Sequence, residues 1–353
     1  MEILWQYNFA IAILAMLLLG FGFLMVFVKN NGFNALTGTY LVVATVIPVY
    51  ILLRNTGVIS GEVIPADTVE AVIFAEFAAA AALISMGAVL GRLKTYQHII
   101  LGVLSVLFYM VNEWMVTDGG LGITKGFVDV AGSIGIHAFG AYFGIGLTII
   151  LTSKKQRETS IESDSTSDRF SMIGSMVLWI FWPSFCSAIV STDLIAKTAV
   201  NTILALCGAT LMAYIASALF RRGKASIADI ANASLAGGVA IGSTCSIMAP
   251  TGAFIIGLLA GLLCVFGYVY VQPFLEEKFN IVDTCGVHNL HGMPGLLGGL
   301  AALTVAPTMV GAQFAGIVFT VVFALIGGLV SGFVIKLTGV REHAYEDAEE
   351  YIA

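Results

Sequence analysis

Three of the five histidines in this chain stand where a titratable ring is hard to accommodate. His137 lies in IGIHAFG (134–140), and His288 and His291 lie in CGVHNLHG (285–292), all inside long apolar runs. His98 and His343 fall in connections and call for no special chemistry. Burial disfavours the charged imidazole, so the three inner rings are expected to be neutral, each with one donating and one accepting nitrogen. Such rings suit the passage of a small polar molecule through a dry channel. For one histidine, a hydrogen bond between helices is the plain alternative; two at matching places favour function. His288 and His291 (i, i+3) share a helix face and with Asp283 suggest a metal pair, but zinc wants a third or fourth protein ligand and the sequence offers none. Neither a metal nor another cofactor is expected. Gly-Met-Pro at 292–294 reads as a backbone break, tolerated at membrane depth where it lines a cavity.

The elements that carry these rings are membrane spans. The chain has 353 residues, of which 58% are hydrophobic and 11% charged, whereas soluble domains carry about a quarter charged residues. Its apolar runs approach the roughly 20 residues needed to cross a bilayer core. The predicted spans are 7–28, 36–53, 68–90, 97–116, 126–152, 170–191, 194–220, 226–247, 252–272, 283–305 and 310–337. The fold class expected is therefore an all-α integral membrane protein of about 11 transmembrane helices in a cell (plasma or inner) membrane. With the N-terminus out and the C-terminus in, only Arg54, Lys125 and Lys197 of the 16 Lys and Arg lie outside, which obeys the positive-inside rule. The N-terminus lacks the basic region and cleavage site of a secretory signal and reads as a retained first helix. A channel domain over 1–340 divides into a first repeat (about 7–152), a flexible cytoplasmic linker (153–169), a second repeat (about 170–305) and an extra helix (310–337). The acidic segment 341–353 reads as a solvated cytoplasmic tail. IGIHAFG and CGVHNLHG fall in the fifth helix of each half, on helices of opposite direction, so an inverted 5+5 repeat pairs His137 with His288 near the midplane.

Acidic residues gather on the outer side: Glu62, Asp67, Glu70, Glu76, Glu113 and Asp118. A vestibule of that sign concentrates cations, and Glu76 and Glu113 are the candidates for recruitment because apolar sequence flanks both. Asp129 opens the fifth helix eight residues before His137 and is assigned a structural role, capping backbone amides; Asp283 opens the tenth and is the second structural pore acid. No basic patch with interleaved aromatics exists, which excludes nucleic acid as a partner. The five cysteines lie within or beside apolar runs without CxxC spacing and read as buried small hydrophobes.

Four stretches together resemble the Rh (Rhesus) branch of the ammonium transporter family: VDVAGSIGIHAFGAYFG (128–144), MIGSMVLWIFWPSFCSA (172–188), IANASLAGGVAIG (230–242) and DTCGVHNLHGMPGLLGG (283–299). The order and spacing of the resemblance hold from about residue 66 to 300. It implies a homotrimer in the lipid bilayer, not an enzyme, with one pore per subunit for ammonia drawn from ammonium. By the same resemblance the pore histidines are His137 and His288, the stacked gate is Phe77 with Phe185, Asp129 is the structural pore acid, and Glu113 is the vestibule acid. His291 matches the extra, pore-adjacent histidine of the Rh branch. Cys186 stands where Rh members commonly have Asn, and no Trp precedes His137 near Thr117, unlike the aromatic cage of the bacterial branch. A carbon dioxide channel and a non-transporting ammonium sensor are the alternative functions, and a membrane metalloenzyme is a third class.

Overall fold

The computed structural model describes residues 2–306 and 310–352. Residues 1, 307–309 and 353, which fall within the expected channel domain, its last connection and the tail, lie outside the described residues. Within that range the chain is helical. The membrane-crossing helices are α1 (Ile3–Phe27), α2 (Gly32–Arg54), α3 (Val69–Ala88), α4 (Gln97–Val116), α5 (Ser133–Leu151), α6 (Ser165–Ser187), α7 (Thr192–Phe220), α9 (Pro250–Phe279) and α11 (Val310–Leu337). Two shorter elements complete the bundle: α8 (Ile227–Ile241), and α10, which runs from His288–Gly292 into Met293–Ala301. Large apolar side chains such as Leu219 (71% exposed) and Phe333 (58% exposed) point outward, as a lipid-facing surface requires.

Packing is set by small residues that let backbones approach. Gly208, Gly257 and Gly261 bring α7 and α9 together; a Cβ on Gly208 would stand 2.5 Å from the Phe254 carbonyl. Gly146 does the same between α5 and α11, where a Cβ would meet the Leu325 carbonyl at 2.5 Å. α3 is the most enclosed span and packs against α1, α2, α4 and α5.

The loops gather on two faces. On the face that holds the start of α1, Arg54 pairs with Asp118 (3.4 Å) and Lys197 reaches the Ile247 carbonyl (3.1 Å). The opposite face holds the C-terminal segment and is called the tail face. Two expectations are corrected there. The connection 153–169 contains a helical turn, Lys154–Glu158, closed by a Ser153–Gln156 capping box, with Gln156 buried. The C-terminal segment is docked: Arg341 and Tyr345 are buried. Asp347 accepts the amides of Phe33 and Asn34 (2.8 and 2.9 Å), capping α2 from across the chain. Tyr345 bonds the Gly91 carbonyl through its amide (3.0 Å) and lies 3.4 Å from Thr284 through its hydroxyl. Short polar segments gain such order when loop backbone groups lack partners of their own.

Candidate functional site: a conduit through the bundle

Two helices begin inside the protein, and each is built the same way. Asp129 and Asp283 each precede a left-handed glycine by three residues: Gly132 (φ +76) and Gly286 (φ +65). Each glycine reverses the chain into a wide π turn, Ser133–Ala138 in one case and His288–Gly292 in the other. The aspartates satisfy the amides left open at these buried starts. Asp129 accepts Gly135 N–H (2.7 Å), Ile134 N–H (3.1 Å) and the Ser243 hydroxyl (2.6 Å). Asp283 accepts Val287 N–H (2.9 Å) and His288 N–H (3.0 Å). Both aspartates thus accept the open amides of these buried helix starts.

The histidine five residues after each glycine reaches the centre. These are His137 and His291, whose Nδ1 atoms stand 3.2 Å apart with ring planes only 9° from parallel. This corrects the expected pairing of His137 with His288. The shared pattern is Asp-x-x-Gly-x₄-His, which 129–137 and 283–291 both satisfy; His288 sits two residues after its glycine, on the wrong side of the turn. Its ring is half-buried and lies edge-on to Tyr142, with centroids 5.7 Å apart. One Nδ1 of the central pair must donate and the other accept. One Nε2 is then left as an acceptor and the other as a donor, whichever way the proton lies.

Aromatic rings wall the pair. Trp182 stacks on His137 (centroids 5.6 Å, planes 20° apart), and Phe21 lies over His291 (6.3 Å, 21°). Phe77 and Phe185 meet edge to face at 4.7 Å rather than stacked, and Phe185 lies beside the His137 ring, with centroids 6.1 Å apart. Pro183 has no N–H for the Trp179 carbonyl, which loosens α6 one turn from Phe185.

Three chambers follow one another along this line. The first, on the face opposite the tail, is lined by Phe74, Phe77, Tyr109, Glu113, Thr117 and Asp129. Here Glu113 accepts the Tyr50 hydroxyl at 2.6 Å. The second holds His137, Trp182, Phe185, Ala80 and Phe21; the third holds Phe21, Leu83, Gly87, Val287 and His291. The three cavities have volumes of about 50, 10 and 20 Å³. One water needs about 10–15 Å³ by that measure, so the middle chamber takes a single small molecule and no hydrated ion.

Glu76 departs from its expected place. It is fully buried, is absent from the lining of the Glu113 chamber, and neither carboxyl oxygen has a hydrogen-bond partner. Sequence reasoning singled out neither Trp182, Phe21 and Tyr109, which line the conduit, nor Tyr50 and Ser243, which hold its acids. Trp182 was legible from its place three residues before Phe185, on the same helix face. Ser243 carried no local signal, because its bond to Asp129 spans 114 residues.

Residues 1–350 match the sequence profile described as the Ammonium Transporter Family. The chain is similar to the ammonium transporter Rh type B of Xenopus tropicalis, at 39% identity over 373 residues, covering 94% of this chain and 79% of that protein. Rh type C of Rattus norvegicus is 36% identical over 374 residues, covering 95% and 74%. The solved structure of Nitrosomonas europaea Rh50, described as one of the Rhesus protein family of channels, is 60% identical, superposes with a TM-score of 0.98, and is matched over 99% of this chain and 92% of its own. A structure described as a sensor Amt protein shares the fold (TM-score 0.85) at 20% identity. A multi-pass helical bundle with a capped, histidine-centred conduit and these relatives together place the chain in the ammonium transporter family, in its Rh branch.

Proposed function

We propose that this protein is a channel that takes ammonium into an acidic chamber and passes ammonia through a dry conduit centred on His137 and His291. The observation that carries the reading is the pair of facing Nδ1 atoms in a passage too narrow for a hydrated ion. Moving a full charge through an apolar constriction costs at least several kcal/mol, and a neutral amine far less. Ammonium can shed a proton and cross; potassium, of similar size and charge, has none to shed. Glu113 supplies negative charge beside the entrance, Phe77 and Phe185 exclude water, and the two imidazoles replace the hydrogen bonds that ammonia leaves behind. His288 is assigned to packing beside Tyr142.

The cations of the tail-face loops support a cytoplasmic tail and an outer Glu113 chamber. The repeated Asp-x-x-Gly-x₄-His, entering from opposite faces, supports an inverted repeat with 153–169 between its halves. A homotrimer with one conduit per subunit is the assembly that the Rh resemblance implies.

Proteoliposomes carrying a pH-sensitive dye test the function in a stopped-flow mixer. An ammonium gradient should shift lumenal pH faster than in protein-free vesicles, and a potassium gradient should move no ions. Potassium flux would refute the dry conduit; acceleration by carbon dioxide without acceleration by ammonium would favour the gas-channel alternative.

A further inference from the structure

Phe77 and Phe185 separate the Glu113 chamber from the central one, and a single ring holds the corresponding place on the tail side. Of the residues lining the three chambers, only Phe21 lines two of them, bordering the His137 chamber and the His291 chamber alike. Its ring is 6% exposed and lies over His291 at 6.3 Å, as the Phe185 ring lies beside His137 at 6.1 Å. A molecule leaving the central pair for the third chamber therefore passes Phe21.

The two rings arrive in the same way from opposite faces. Helices α1 to α5 precede the 153–169 connection and α6 to α10 follow it, so α1 and α6 each come first in their halves. α1 ends at the tail face, where the Lys29 amide bonds the Glu162 carbonyl (2.8 Å) just ahead of α6. α6 sets out from there in the other direction. Phe21 and Phe185 both stand in the last two turns of their helices, which puts them on opposite sides of the histidine pair. Each also stands where the helical ladder is loosened. Pro183 does this beside Phe185. Beside Phe21 the helix widens into a π turn, Met16–Phe21, then tightens to a 3₁₀ turn, Met25–Phe27; π turns of this kind are frequent at functional sites. The close crossing with α6, where a Cβ on Gly174 would stand 2.6 Å from the Gly20 carbonyl, holds α1 against the conduit, so that slack in the π turn is taken up by the ring. The third helices differ. α3 brings Phe77 to the Phe185 ring at 4.7 Å, whereas α8 brings the polar Asn232 to the chamber beyond Phe21. The barrier on the Glu113 side is two rings thick and that on the tail side is one.

We propose that Phe21 is the inner gate of the conduit, the counterpart of Phe185, and that its ring swings on the π turn to let one ammonia at a time pass from the histidine pair toward the tail face. Closed, the ring keeps water of the third chamber from His291 and leaves the central chamber, about 10 Å³ in volume, bounded by aromatic rings at both ends. Because this barrier is a single ring, removing that ring joins the central chamber to the third and relaxes the size limit on what leaves.

The gate rests on the ammonia-channel reading, and the experiment separates their failures. Full-length wild type and variants are reconstituted in dye-loaded proteoliposomes, and stopped-flow alkalinisation is compared for ammonium and methylammonium gradients. One methylene changes the preference of an apolar pocket about tenfold or more, so Phe21→Ala should raise the ratio of methylamine to ammonia flux about tenfold. Phe23→Ala is the control: it removes a ring from the same turn of α1, stacked on Phe170 at 5.8 Å and outside the chamber linings. Its ratio should stay within about twofold of wild type, well short of the tenfold preference that one methylene commands. An unchanged ratio in folded Phe21→Ala overturns the gate, and so does an equal rise in Phe23→Ala, which would trace the effect to a loosened helix. Should Phe21→Ala fail to fold, Phe21→Trp decides: a larger ring at the gate should slow ammonia flux several-fold, and unchanged flux overturns the proposal. No acceleration by ammonium in the wild type overturns the channel reading itself; acceleration in the wild type with an unmoved ratio in Phe21→Ala leaves the channel standing without this gate.

Discussion

Exchanging His291 and His288 for alanine, one at a time, separates the two candidate partners of His137. His291→Ala removes the ring 3.2 Å from His137 Nδ1 and leaves both nitrogens of His137 buried without a partner. A buried polar atom stripped of its partner costs about 1–3 kcal/mol, which should appear as a lower melting temperature of the detergent-solubilised protein. The same change removes one of the two rings that replace water around ammonia. A neutral hydrogen bond contributes about 1 kcal/mol net, and 1.4 kcal/mol is tenfold, so ammonia flux should fall roughly fivefold where the dry centre limits it. His288→Ala deletes a half-buried ring that lies edge-on to Tyr142. It should leave flux within about twofold and cost about 1 kcal/mol or less of stability. The assay is stopped-flow alkalinisation of proteoliposomes at matched protein density. Flux lost in His288→Ala and kept in His291→Ala would refute the pairing and, with it, the use of the repeated glycine turn to locate the centre.

Asp129→Ala strips the cap from two buried amides and frees the Ser243 hydroxyl. A loss of about 3–5 kcal/mol is expected, read as a large drop in thermal stability; a change under about 1 kcal/mol would show that the capping geometry contributes little. Asp347→Ala uncaps α2, which costs about 1 kcal/mol and should speed hydrogen exchange at the Phe33 and Asn34 amides; unchanged exchange there would show that the tail is not docked in solution.

The membrane class, the all-helical fold and most of the conduit were legible because they depend on local signals. Span length and charge bias come from contiguous sequence, His137 and Phe185 stand in stretches that resemble the Rh branch, and Phe77 is assigned by that resemblance. The mistaken partner, His288, came from matching the wrong feature. The similar strings Gly-Ile-His and Gly-Val-His put a histidine two residues after a glycine, but only Gly286 has the left-handed turn that Gly132 has; the glycine aligned with it, Gly135, lies inside the helix. Counting from the capping aspartates gives eight residues in both halves and selects His291. The docked tail was illegible for another reason. Asp347 caps a helix 314 residues away in sequence, and no composition rule distinguishes an acid that caps from one that is merely solvated. Glu76 was read from its apolar flanks as an entrance acid; the sequence could not say which way the helix turns it.

The construction of the two half-helices explains why neutral rings can sit at this depth at all. A helix that starts inside a membrane exposes amides that lipid cannot satisfy. Asp129 and Asp283 satisfy them and, placed at the positive end of each helix, are stabilised by its dipole. Their charge is thus engaged by backbone amides, leaving the histidines beyond them in an apolar setting. The left-handed glycine then sets the direction from which each ring arrives, so that the two meet through Nδ1 and offer Nε2 along the path. Had Asp129 been Asn, the amides would still be satisfied but the acid it brings to the Glu113 chamber would be lost. Had the glycines carried a side chain, the turn would be strained and the rings displaced from their 3.2 Å contact. In the proposed channel, selectivity against potassium therefore depends on backbone geometry several residues from the two central rings.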